Sequence, residues 1–343
     1  MAQEKILSVS VAAYNATEFL PKCLDSFLAC QRREALEVII VDDGSKDDTR
    51  AMAEKYAAEH PEVFRVLAKE NGGHGSTINA SLRVATGKYY RVIDSDDWVN
   101  PKDMDQLLGI LSRSKADMVV GNFRLVYQDH EVLRDMCRNY ETGKLYTFDE
   151  LEFCEDIPMH ALNVRTDKLR NLGVDIPEHV FYADVPYLYN AARAADTVEF
   201  EPGCVYQYRL DREGQSVSAE GMYRHIEDLI KVEMVMMGWY VADQVSAHAK
   251  RQYLLLILQE RWQMLFSFFL EFTQDAKDSL LAEFYQEAKQ KYPAIVQQLH
   301  LRKLHAPLLL SVQTMLPPMR VARKVYRYLK RLVLRRGVES VVV

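Results

Sequence analysis

Two stretches decide the fold: residues 37–48, EVIIVDDGSKDD, and residues 89–98, YYRVIDSDDW. Each runs from a short apolar, β-branched segment directly into a cluster of aspartates, the pattern of a buried strand that ends at a polar edge. Three further runs of the same kind flank them: ILSVSVA (6–12), FRVLAK (64–69) and DMVVGNF (117–123). Between the strands lie amphipathic stretches beginning near Thr17, Asp48, Ser76 and Pro101, each opened by a capping residue or by a proline suited to a first helical turn. Strand–helix alternation of this kind predicts a doubly wound, Rossmann-like α/β half with a mostly parallel sheet.

In such a sheet ligands bind at the carboxyl ends of the strands. Asp42, Asp43, Asp94, Asp96 and Asp97 all fall there, so the two clusters are expected at one edge. Crowded carboxylates repel one another and repel a diphosphate, and a divalent cation relieves both. Manganese and magnesium take oxygen ligands, and magnesium needs only one or two protein carboxylates beside water and phosphate. Aspartates after strands also shape turns and cap helices, and one cluster alone would read that way.

Beyond residue 125 the pattern loosens. Short segments punctuated by Gly and Pro, such as residues 171–186 and 199–216, suggest a second half of the same domain facing an acceptor. From Gly221 onward Ile226, Leu229, Ile230 and Met234 follow one helical face into a C-terminal helical extension. The expected division is therefore 1–125, 126–220 and 221–343. Residues 254–270, LLLILQERWQMLFSFFL, are interrupted by Gln259, Glu260 and Arg261 and read as a buried helix rather than a membrane span.

With 343 residues, 48% of them apolar, the chain can bury a large core. Its net charge of -6 gives no general attraction to nucleic acid. Five scattered cysteines with no Cys-x-x-Cys pair read as reduced thiols, and the opening residues lack the long apolar run of a secretory signal. A cytoplasmic protein is expected. Between Arg320 and Arg336 eight basic residues occur with no acid, beside apolar residues at helical spacing. That tail suits either peripheral contact with the inner face of an anionic membrane or packing on the preceding helices.

Taken together, SVSVAAYN (8–15), VIIVDDGSKDDT (38–49), ENGGHGSTINASLRVATGKYYRVIDSDDW (70–98) and YADVP (182–186) resemble the inverting nucleotide-sugar glycosyltransferases of the GT-A fold, family 2 type. The resemblance covers residues 5–215 and rests on four motifs in order. It implies a UDP-sugar or other nucleotide-diphosphate sugar as donor and a polysaccharide or lipid-linked glycan as acceptor. It places Ala12, Tyr14 and Asp43 on the nucleotide, with Tyr14 against the base. Asp94 is expected at the ribose or a metal-bound water, Asp96 as the direct ligand of Mn2+ or Mg2+, and Asp97 behind them.

By the same resemblance Asp184 is the general base, although Asp184-Val185-Pro186 is also a good helix start. Ala12 stands where many relatives have proline, and Ala183 where they often have the first acid of a Glu-Asp pair. Arg209 and Arg212 are candidate phosphate contacts or surface ion-pair partners. His74, alone between glycines, reads as an exposed loop residue outside the catalytic set, and His160 and Tyr182 as acceptor contacts or packing. A nucleotidyltransferase built on the same acidic edge, or a catalytically weak carbohydrate-binding protein, are the alternatives.

Overall fold

The computed structural model describes residues 4–301 apart from residue 154 and residues 211–218, 244–246 and 272–274. Arg212 and the basic stretch Arg320–Arg336 lie outside the described residues. The chain divides into two compact units, Met1–Gln215 with Gln244–Ile257, and Ser216–Asp243 with Leu258–Val343.

In the first unit the strands β1 (Leu7–Ala13), β2 (Leu36–Asp42), β3 (Phe64–Ala68) and β4 (Tyr89–Asp94) alternate with helices α1 (Leu20–Leu28), α2 (Thr49–Glu59) and α3 (His74–Val84). Next come β5 (Trp98–Val99), α4 (Pro101–Arg113), β6 (Met118–Val126), β7 (Glu131–Arg134), β8 (Leu145–Thr147) and β9 (Leu162–Arg165). Helices α5 (Thr166–Asn171) and α6 (Asp184–Ala194) and the long strand β10 (Thr197–Arg209) complete it. The sheet runs β3-β2-β1-β4-β9-β6-β10-β5, with β7 on β6 and β8 on β10. Pairs β3/β2, β2/β1, β1/β4 and β6/β10 are parallel, while β9 enters antiparallel between β4 and β6.

All five expected strands are present, because their apolar runs fill a sheet covered on both faces; every residue of β2 is buried. Helix α4 starts at the expected proline, its Asn100 side chain accepting from the Asp103 amide at 3.2 Å. Helix α3 starts two residues earlier than expected, at His74. β10 was not foreseen as one strand. Pro202-Gly203 reads as a turn in sequence, yet the strand continues through it with register shifts between Phe200 and Cys204 and between Cys204 and Tyr206. β10 lies in the same sheet as β1–β4, and residues 244–257 also belong to this first unit.

The second unit is helical: α7 (Ala219–Arg224), α8 (Ile226–Ala242), the later part of α9 (His248–Glu271), α10 (Asp275–Lys291) and α11 (Pro293–Leu301). Its core includes Leu229, Met236, Trp262, Phe284 and Val296, with the Trp262 and Phe284 rings 5.1 Å apart. Among the described residues no helix is long and apolar enough to cross a membrane.

Candidate active site

The parallel strands β1, β2, β3 and β4 end at Ala13, Asp42, Ala68 and Asp94, which puts the acidic clusters at one sheet edge. At β1 the chain leaves through Tyr14, which is 51% exposed, and Asn15 in the left-handed region at φ 49°. Asn15 Oδ1 accepts from Lys46 N at 2.8 Å and its amide donates to Ser45 Oγ, so the loops after β1 and β2 are tied together. Thr17 and Thr49 converge on Asp47; against the opposing effect of burial, their hydrogen bonds hold its carboxyl at about 2. Ala12, half-buried, pairs with Val41 and Asp94 in the sheet.

Asp43 is buried and turned into the following loop. Its carboxylate accepts from Lys69 Nζ (2.9 Å), Gly72 N (2.9 Å) and Gly73 N (2.8 Å). These bonds fix the ENGG turn, so the side chain supports the wall of the cleft, whatever it contributes to a nucleotide. Gly73 sits at φ 79°, a conformation costly for any residue with a Cβ, and leads directly into α3.

His74, the first residue of α3, corrects the sequence expectation. It is not an exposed loop residue: its Nε2 lies 3.3 Å from Asp94 Oδ1. Burial lowers its basicity, but the bond to Asp94 and the negative charges of Asp94, Asp184 and Asp43 lift the pKa above the ordinary histidine value. Asp94 shifts the opposite way, below the usual carboxylate range: burial opposes ionisation, and His74, His160 and the Tyr206 hydroxyl outweigh it.

Asp97 is 1% exposed and both its oxygens are used. One accepts from Tyr206 Oη at 2.6 Å, the other from Arg209 N at 2.7 Å. Burial, then the charges of Asp94 and Asp96, push its carboxyl well above the usual range. That is the electrostatic signature of an acid cluster that a cation would relieve. Ligand atoms of Asp94, Asp97 and His160 come within 4.8 Å of one another. Asp96, expected as the direct ligand, is half-buried in the same turn and is not one of those three.

His160 lies against Phe123 and Tyr208 and meets Tyr206 edge-on, at centroid distances of 5.2, 4.5 and 4.6 Å. Burial brings its pKa down to about 4, which keeps the imidazole neutral, and Nδ1 has no hydrogen-bond partner. A neutral ring with an unsatisfied nitrogen beside half-exposed Asp94 fits a divalent cation. Below it Arg91, 1% exposed, donates to Asn163 Oδ1 at 3.0 Å and to the His160 carbonyl.

Arg209 also reaches this turn. Its Nε donates to the Asp96 carbonyl at 2.9 Å, and its guanidinium lies 5.1 Å from the ring centres of Phe19 and Trp98. Asp184 is the first residue of α6, preceded by Ala183 rather than capping the helix itself. Tyr182, just before it, is held at φ 65°, where a bulky residue is strained.

Tyr206 and Tyr208 were missed from sequence, although VYQYR (205–209) places both on one face of a strand, where they meet His160. Arg91 was missed as well, although it stands in the sequence as a charge within an apolar strand. His74 had no such signal, because its pairing depends on a loop folding onto β4.

A doubly wound sheet with an acidic turn at the end of β4 defines the GT-A architecture. Residues 8–160 match the family described as glycosyl transferase family 2, so this part of the chain is family 2-like. It is similar to the putative glycosyltransferase EpsH of Bacillus subtilis, 36% identical over 152 residues, 44% of this chain and 40% of that one. An uncharacterized glycosyltransferase of Mycoplasma pneumoniae, the MG060 homolog, is 26% identical over 74% of this chain and 85% of its own. The chain thus spans less than half of EpsH and most of the Mycoplasma protein. Among solved structures, S. aureus TarS residues 1–349 in complex with UDP-GlcNAc superposes with a TM-score of 0.70, covering 94% of this chain and 92% of that one; at 21% identity the likeness is one of fold.

Proposed function

We propose that the chain transfers a sugar from a UDP-sugar to a hydroxyl of a polysaccharide or lipid-linked acceptor, with inversion, at the cytoplasmic side of the membrane. The observation that carries this reading is electrostatic. The negative charges of Asp94 and Asp184 both raise the pKa of His74 and of Tyr208, which supports a reading in which the acidic turn and the start of α6 border a common space. A displacement needs these two parts together: one to hold the donor diphosphate, one to take the acceptor proton.

In this mechanism Tyr14 and the loop pinned by Asp43 border the nucleotide, with Ala12 beneath them. Asp94 and Asp96, with His160 beside them, would hold Mn2+ or Mg2+. The cation would offset charge on the departing diphosphate. Arg209, fixed at the same turn, adds positive charge next to the phosphates. Asp184 accepts the proton of the attacking hydroxyl, and its position at a helix N-terminus favours the ionised form that a base needs. Support comes from TarS, whose complexes hold UDP-GlcNAc and UDP, and from the mannosyltransferase PcManGT of Pyrobaculum calidifontis, solved with GDP-Man and Mn2+ at a TM-score of 0.50.

Calorimetric titration of UDP into chelator-treated protein, with and without manganese, tests the donor site without knowing the acceptor. The expected result is manganese-dependent binding that Asp96→Asn weakens at least tenfold. Binding of UDP that ignores both the metal and the substitution would remove the metal from the proposal; no binding at all would remove UDP. In turnover, release of UDP rather than pyrophosphate separates sugar transfer from nucleotidyl transfer.

A further inference from the structure

The acidic turn between β4 and β5 is held from one neighbouring strand, β10. At its exit Trp98 and Val99 pair with Gln207 and Tyr206. At its entry the Asp94 amide lies beyond β9, which pairs with β4 at Tyr89 and Tyr90, and it donates instead to the Tyr206 hydroxyl at 3.2 Å. The same hydroxyl donates to Asp97 Oδ2 at 2.6 Å, the length of a charge-assisted bond, and lies 3.5 Å from Asp94 Oδ2. A hydroxyl has one proton to give and lone pairs to accept with, so a single side chain ties both ends of the turn.

Tyr206 reaches this place through the irregularity of β10. Between Cys204 and Tyr206 the strand advances two residues while its partner β6 advances from Asn122 to Phe123, and an extra residue of this kind re-aims the side chains that follow. Tyr206 is 0% exposed; its ring meets His160 edge-on and its centre lies 5.7 Å from the Arg91 guanidinium. The other oxygen of Asp97 accepts from the amide of Arg209, also on β10, at 2.7 Å. Asp97 is thus bonded through both oxygens to β10, and its own amide closes the turn on the Asp94 carbonyl at 3.1 Å. These bonds make it part of the frame of the turn.

We propose that Tyr206 is a positioning residue that commits Asp97 to this frame and thereby sets Asp94 and Asp96 for a divalent cation. The inference rests on the reading of the turn as a site for Mn2+ or Mg2+ and adds a division of labour within it: Asp97 anchors, while Asp94 and Asp96, with His160 beside them, face the ion. A magnesium-like cation shared with a diphosphate needs only one or two protein carboxylates, which leaves the third to hold the turn. The rival arrangement has Asp97 itself as a ligand, since its carboxylate also comes within 4.8 Å of the ligand atoms of Asp94 and His160. The two predict opposite signs. Removing the Tyr206 hydroxyl loosens the frame and weakens the hold on the ion if Asp97 anchors, but frees an oxygen for the ion and strengthens the hold if Asp97 ligates.

The test is calorimetric titration of UDP into the chelator-treated 343-residue chain over a series of Mn2+ concentrations, for wild type, Tyr206→Phe, Asp97→Asn and the double variant. It yields the Mn2+ concentration that supports half-maximal UDP binding. Tyr206→Phe keeps the ring against His160 and removes only the hydroxyl, and it should raise that concentration at least fivefold. The double variant should be no worse than Asp97→Asn alone, because the two side chains act as one unit. A lower Mn2+ requirement in Tyr206→Phe would make Asp97 a ligand, an unchanged requirement with a lowered urea midpoint would make Tyr206 a packing residue, and losses that multiply in the double variant would give the two residues separate roles; each overturns the proposal. If Tyr206→Phe does not fold, Asp97→Asn decides alone: it should raise the requirement at least fivefold, and an unchanged requirement overturns the anchor. Wild-type UDP binding that ignores Mn2+ would remove the metal reading first and this inference with it, whereas the outcomes above leave that reading standing.

Discussion

Asp184 and Glu201 are two carboxylates whose surroundings set opposite tasks. Asp184 starts helix α6 and, in the proposed mechanism, takes the acceptor proton; replacing it by asparagine keeps the shape and removes the base. The expected loss in transfer rate is about 10²–10⁴-fold. UDP affinity, measured by the same calorimetric titration, should change by less than threefold, and a parallel loss of UDP binding would make Asp184 a donor-site residue instead. Glu201 is 2% exposed in the irregular part of β10. Burial, opposed by the Gly203 amide and the Arg91 charge, lifts its pKa from 4.5 to about 7. A carboxyl whose pKa is raised on folding binds its proton more tightly in the folded state, so that stabilisation is full below about pH 4.5 and is lost as pH rises through about 7. Glu201→Gln should therefore remove a stability loss of up to roughly 3 kcal/mol across that window. Urea denaturation of both proteins near pH 4.5 and near pH 7 reads it directly; parallel curves would mean that Glu201 ionises normally.

The loop from α5 to α6 is the element on which the cleft depends. Asn79 on α3 clamps it with three hydrogen bonds, two to Ile176 and one to Glu178 at 3.1 Å. A methyl at Gly75 would fall 2.1 Å from the Pro177 carbonyl, so helix and loop are already in close contact. Asn79→Ala strands the buried amide and carbonyl of Ile176, which should cost about 2–4 kcal/mol and lower the urea midpoint without changing the slope. A change of less than about 0.5 kcal/mol would show that the loop does not need this clamp. Helix α3 was legible in sequence and this contact was not. Local pattern reports which face of a helix is apolar, but Asn79 meets Ile176 across 97 positions. The same difference explains β1–β4 and β10. The first four strands are short, mostly apolar runs without glycine or proline, whereas β10 contains Pro202-Gly203 and two buried glutamates, Glu199 and Glu201, and its parallel pairing with β6 makes them part of a strand. At the site, Asp94, Asp96 and Asp97 stood out because they follow strands, while Asp184, locally a helix start, stood out only through the family resemblance. His160 read only as an acceptor contact or packing and His74 as an exposed loop residue, because their places beside Asp94 arise where distant loops and strands meet.

Across the whole chain the two units interleave in sequence, since residues 216–243 and the segment after 257 form one body while residues 244–257 belong to the other. No single cut separates them. Helix α8 places Ile226, Leu229, Val232, Met236, Met237 and Tyr240 in the core of the second unit, whose other walls come from the later part of α9, α10 and α11. Burying six such side chains contributes on the order of 10 kcal/mol. A chain ending at Ile257 would keep α8 and lose those partners. It would also keep Glu233, 0% exposed and pushed well above the usual carboxylate range by burial, while losing Arg261, the cation that offsets it. Such an uncovered apolar face is an association surface. The shortened protein should therefore elute as oligomers or aggregate and bind a hydrophobic dye, even though every strand and acidic residue of the sheet is intact. The 343-residue chain should do neither. A monomeric, cooperatively melting chain ending at Ile257 would show instead that the sheet unit holds α8 unaided, and that the remaining helices serve a purpose other than closing this core.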